Sequence, residues 1–142
     1  MKFICFFSLI ALTLSSCGNR LNISKSDSKD EYVLTQTGLK YKILKNGSGA
    51  HAQEGQEVLI FETTSYLNGT VLYSNENSTT PVKVLIGGHQ ATDGVDEGLR
   101  GMQAGEVRKL IAPPYLVKRK SYPGNVSPDS TLVIKIILHK IL

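Results

Sequence analysis

Hydrophobic residues in this chain recur at two spacings, and the switch between them marks out its elements. Leu39, Tyr41 and Ile43 alternate with Lys40, Lys42 and Leu44, the period of a half-buried strand, which Asn46 and Gly47 close. Val58, Leu59, Ile60 and Phe61 open a second strand that continues through Glu62 to Tyr66. Leu67, Asn68 and Gly69 then carry a turn signal, and residues 70–73 begin the return. Residues 82–86 predict a further strand ended by Gly87 and Gly88, and residues 107–112 another, stopped by Pro113 and Pro114, which cannot donate to a ladder. Leu132, Ile134, Ile136 and Leu138 lie on one face of a long closing strand over 131–142. Only before residue 107 does the spacing lengthen. Val95, Leu99 and Met102 fall at i, i+4 and i+7, one face of a short helix that Gly105 is expected to end. Strands in series with a lone helix predict an α+β fold, an antiparallel sheet packed on one side by that helix.

The first sixteen residues read as an address. Lys2 is a charged start, residues 3–14 are an apolar run, and Ser15 and Ser16 are small residues before Cys17. The run is short of the roughly 20 apolar residues that span a bilayer. The order Leu14, Ser15, Ser16, Cys17 resembles the lipobox of bacterial lipoproteins, which implies that Cys17 is diacylated and becomes the mature N-terminus; an ordinary secretory signal ending beside a cysteine is the alternative. The resemblance implies a lipid-anchored protein of the bacterial cell envelope. Gly18, where inner-membrane retention uses Asp, points to the outer membrane. The division expected is a signal peptide at 1–16, a polar tether at 17–33 and a folded domain at 34–142. Cys5 leaves with the signal, so Cys17 has no partner for an internal disulfide.

Charge excludes more than it suggests. Sixteen Lys and Arg against twelve Asp and Glu give a net charge of +4, and no nucleic-acid motif is present. Lys118, Arg119 and Lys120 are the one basic cluster, and three such residues in a row read as a solvated turn. His51, His89 and His139 lack metal-ligand spacing, so neither a metal nor a cofactor is expected. The Asn-x-Ser/Thr triplets beginning at Asn22, Asn46, Asn68, Asn77 and Asn125 read as turn chemistry.

Asn68-Gly69, the strand PVKVLIG at 81–87, the stretch GLRGMQAGEVR at 98–108, the prolines after it and SPDSTLV at 127–133 resemble, in order and spacing, FKBP-type peptidyl-prolyl isomerases. The resemblance covers about residues 37–142. It implies a sheet of five to six antiparallel strands curled around one short helix, with an apolar pocket between them. It also implies rotation about X-Pro amide bonds, with no covalent nucleophile. Proline-containing segments of exported polypeptides are then the expected partners. The family's pocket falls on Glu62, Leu72, Tyr73, Val82, Ala91, Thr92, Val95, Tyr122, Val126 and Ile134 of this chain. Several positions depart from the family: Val95 stands where a Trp floor is usual, Tyr73 replaces an Asp, Glu62 replaces an aromatic, and Lys118 falls near a Tyr hydroxyl donor. Thr92 keeps a backbone N–H for the hydrogen bond the family uses. No residue is assigned a catalytic role. Three functions therefore stay open: an envelope prolyl isomerase assisting exported proteins, a weak or inactive binding module of a secretion or motility assembly, and a lipid-anchored domain with only a structural role. Glu62 is similarly divided. It is either a desolvated pocket carboxylate or, as the rarity of unpartnered buried carboxylates favours, a residue reaching solvent beside Lys118.

Overall fold

In the computed structural model, residues 31–142 are described. The signal peptide expected at 1–16, Cys17 and the tether as far as residue 30 lie outside the described residues. Period-two alternation builds the three strands at the centre. These are β4 (Glu57–Tyr66), β8 (Val107–Ala112) and β9 (Leu132–Ile141), with β9 hydrogen-bonded between the other two. Their inward positions, among them Val58, Ile60, Leu110, Ala112, Leu132, Ile134, Ile136 and Leu138, are all buried. Each large side chain among them contributes about 1.5–3 kcal/mol by leaving water.

Shorter strands complete the sheet. β1 (Val33–Leu34) pairs with β2 (Lys40–Lys45), and β2 pairs with β8. On the edge of β4 away from β9, β6 (Val82–Leu85) covers residues 57–60 and β5 (Val71–Ser74) covers residues 63–65. Seven strands thus occupy six lateral positions, where the family resemblance implied five to six strands. A separate two-stranded sheet joins β3 (Ser48–His51) to β7 (Gln103–Ala104), a pairing the sequence did not announce because the β3 residues are all exposed.

The single helix, α1 (Asp93–Leu99), lies in the curl of the sheet. Gly94, Val95, Gly98 and Leu99 are buried, and the Gly98 backbone runs so close to β8 that a Cβ there would come within 2.5 Å of Leu110. Asp93 and Asp96 in the first turn complement the positive end of the helix. The helix stops at Leu99, six residues before the expected Gly105. Gly101 supplies the left-handed backbone (φ +78°), and its N–H and the Met102 carbonyl both bond to Ala52. Met102 is fully buried on the same core after the chain has left the helix, which is why its spacing looked helical.

Candidate functional site

The edge that β5 and β6 share on β4 leaves a gap between them, and the gap falls at Glu62. Ile60 still pairs with Val82 and Thr63 with Ser74, but no strand residue pairs with Glu62 on that edge. Asn75 fills the place: its Oδ1 accepts from the Glu62 N–H at 2.7 Å, and its own N–H donates to the Glu62 carbonyl at 3.1 Å. The backbone is satisfied while the side chain continues the inward alternation of Val58 and Ile60.

That side chain enters a cavity of about 610 Å³. Val84 and Val95, both buried, form its apolar floor, with Ala91 and the half-exposed Val82 beside them. Tyr73 and Asn75 stand on the β5 side, Thr92 and Asp93 at the start of α1, and His89 and Gln90 on the preceding loop. Lys118, Arg119 and Lys120 complete the wall.

Two local structures set these elements in place. The loop before α1 turns through Gly87 (φ +78°) and His89 (φ +54°), and Gln90 Oε1 accepts from the Leu85 N–H at 2.9 Å. On the other side, the Tyr66 hydroxyl donates to the Asn125 carbonyl and accepts from the Ser127 N–H, each at 2.9 Å. This clamps the loop between β8 and β9 and brings its basic segment to the cavity. The Tyr122 hydroxyl tightens that segment by accepting from the Arg119 N–H at 3.3 Å.

Electrostatics inside the cavity are mixed. Burial pushes the Glu62 carboxyl above its ordinary value, opposed by a 3.1 Å hydrogen bond from the Thr64 hydroxyl and by the Arg119 charge. Glu62 thus lines the cavity as a half-buried carboxyl, and the opposing cation is Arg119 rather than Lys118. Asp96, on α1 and 4 % exposed, is also pushed up by burial, against the Gly87 amide, the Arg100 and His89 charges and the His89 amide. Its Oδ1 and the Thr92 Oγ1 have no hydrogen-bond partner among the described residues. Thr92, the N-cap of α1, lines the cavity, and its N–H donates to no acceptor among the described residues.

Of the ten residues carried over from the family's pocket, six meet here: Glu62, Tyr73, Val82, Ala91, Thr92 and Val95. Four do not line the cavity. Ile134 is fully buried in the β9 core, and Leu72 and Val126 pack against that core from outside it. Tyr122 faces a second cavity of about 420 Å³ with Pro114, Tyr115, Pro128 and Asp129, which Lys118 and Arg119 also line. Val84, Asp93, Arg119, Lys120, Asn75, His89 and Gln90 were missed. The basic run was visible in sequence, but only the Tyr66 clamp turns it from a solvated loop into a wall. Among the described residues no cluster of His, Cys, Asp and Glu is arranged to hold a metal.

Residues 48–139 match the family described as FKBP-type peptidyl-prolyl cis-trans isomerase. FK506-binding protein 2 of Yarrowia lipolytica is 33 % identical over 106 residues, 74 % of this chain and 74 % of that protein. Outer membrane protein MIP of Legionella longbeachae is 32 % identical over 117 residues, which is 82 % of this chain but 49 % of that protein, so the chain spans about half of its length. Among solved structures, AtFKBP13 superposes with a TM-score of 0.70 at 25 % identity, over 79 % of this chain and 99 % of that one.

Proposed function

The chain belongs to the FKBP-type peptidyl-prolyl cis-trans isomerase family, and from that premise we propose that it turns X-Pro bonds in exported polypeptides, from a lipid anchor in a bacterial cell envelope. The observation that carries the reading is the apolar floor of Val84, Val95 and Ala91 beside the free Thr92 N–H, in a cavity large enough for a prolyl residue and its neighbours. Rotation about the amide passes through a state that has lost resonance, about 18–20 kcal/mol above the planar form. A dry floor that holds the pyrrolidine ring strips water from the planar amide, and the Thr92 N–H holds the preceding carbonyl while the C–N bond turns. The rotation needs no proton transfer and no nucleophile.

The floor is shallower than an aromatic one. An aromatic ring buries 150–250 Å², so a valine in its place forgoes about 2 kcal/mol of contact, some thirtyfold in rate if it falls on the transition state. This, with a carboxyl group at Glu62 in the cavity wall, favours a second reading in which the domain binds extended peptides with little turnover. A prolyl isomerisation assay on the full chain separates the two. Acceleration that saturates with peptide is expected, and a rate equal to buffer from folded protein leaves the binding reading standing.

For the envelope placement, support comes from the lipobox-like order ending at Cys17 and from a relative named as an outer membrane protein. Replacing Cys17 by Ser is expected to move the protein from the membrane fraction to the soluble one. Retention of the variant in the outer membrane would contradict the anchor.

A further inference from the structure

Three consecutive cations line the cavity, and no ion pair among the described residues involves Lys118 or Lys120. Arg119 faces Glu62 across the cavity without a salt bridge to it. Lys118 and Arg119 are also shared with the second, more apolar cavity around Tyr115 and Tyr122, so they form a ridge between the two cavities. The acidic groups of the lining are placed otherwise: Glu62 on β4, and Asp93 at the first residue of α1, where the helix end already favours a negative charge. His89 is the remaining titratable lining residue besides Tyr73. Glu62 faces Arg119, and Asp129 lines the second cavity with Lys118 and Arg119, so three cations meet two carboxylates there and the ridge keeps an excess of positive charge, an arrangement that concentrates anions at a cleft mouth.

We propose that the cavity selects prolyl bonds with a carboxylate side chain next to the proline, and that Lys118, Arg119 and Lys120 are the selecting residues. The proposal rests on the isomerase reading and names its substrate class. Proline sits on the Val84 and Val95 floor, and the flanking Asp or Glu lies on the ridge as the chain passes toward the second cavity. A flanking Lys meets the same ridge as a like charge. Because all three cations are exposed, the selection is sensitive to screening over the Debye length of about 10 Å at 0.1 M salt.

The test is protease-free, by exchange spectroscopy on short peptides with Glu, Leu or Lys on either side of proline, using the full chain. On at least one flank, Glu is expected to exceed Lys in kcat/KM by about tenfold at low salt, with the ratio falling to about threefold at 0.5 M. Lys118→Glu combined with Lys120→Glu is expected to invert the order. Glu and Lys peptides turned over within twofold of each other on both flanks, with no salt dependence, would overturn the proposal. If no peptide is turned over at all, the isomerase reading fails, and titration of the same peptides by chemical-shift change decides the charge preference separately. Tighter binding of the Glu peptides would keep the ridge as an anion-selecting surface, and equal affinities would remove it.

Discussion

Glu106 and Glu62 are both carboxylates drawn inside the curl of the sheet, and the structure surrounds them in opposite ways. Glu106, 3 % exposed, accepts from Arg108 Nε at 2.8 Å on one oxygen and from the Gln103 N–H at 3.0 Å on the other. Arg108 in turn gives Nη1 to the Gly98 and Arg100 carbonyls at 3.0 and 3.2 Å, closing the end of α1, and stacks 4.7 Å over the Tyr41 ring. Every charge there is spent on fastening helix to sheet. Glu62 receives one hydrogen bond, from Thr64, and no donor among the described residues reaches its other oxygen. The cation that opposes its burial, Arg119, is on an exposed loop. One end of the molecule has used up its polar groups on itself, and the other holds them toward a cavity.

Breaking the closed end should have the largest effect. Arg108→Ala leaves the Glu106 carboxylate buried without its cation, and chemical denaturation is expected to show a loss of about 3–5 kcal/mol. Arg119→Ala at the open end is expected to change stability by less than about 0.5 kcal/mol. Equal losses at the two positions would erase the contrast. Next in size is the helix seat: Gly98→Ala drives a methyl group into Leu110 and is expected to cost about 1–3 kcal/mol in the same measurement.

Val95→Trp changes the floor of the open end, at a residue that is also buried in the core, so its fold is checked by the same denaturation measurement. An aromatic floor restores about 2 kcal/mol of contact, so kcat/KM on a Leu-Pro peptide is expected to rise about thirtyfold. A fall in rate from folded protein would place the prolyl ring elsewhere.

The smallest effect is the pH dependence of Glu62. Its carboxyl is held above the ordinary 4.5 by burial, so the folded state disfavours the ionised form, and the stability this group contributes is complete below 4.5 and lost as pH rises through the raised value. Glu62→Gln removes the decline. The Tm of the variant minus that of the native protein is expected to be near zero at pH 4 and to grow with pH. A difference independent of pH would mean that Glu62 is no more desolvated than a surface carboxylate.

The contrast also explains what the sequence disclosed. Alternation on β9 and β4 gave the inward faces, and Leu132, Ile134, Ile136 and Leu138 are buried as their spacing required. Spacing says that a residue points inward, and it does not say whether core or cavity lies there. Ile134 and Glu62 obey the same rule, yet one is sealed against Leu110 on the paired strand and the other opens into the gap between β5 and β6. The cavity depends on long-range events: a strand edge shared by two partners, and a loop held by the Tyr66 hydroxyl. The basic run was legible as a run, whereas its position was not. Met102 misled for a related reason, since a buried residue just past a helix keeps the helical spacing by chance of the Gly101 turn.

The central claim is that prolyl bonds turn on the Val84 and Val95 floor beside the Thr92 N–H. The most direct measurement is exchange spectroscopy of a Leu-Pro peptide with the isotope-labelled full chain, reading the peptide's cis–trans exchange rate and the protein's amide shifts together. The account predicts exchange faster than in buffer, with the largest shift changes at Thr92, Val95 and Val84. Exchange at the buffer rate, or acceleration with shift changes confined to other surfaces, would contradict it.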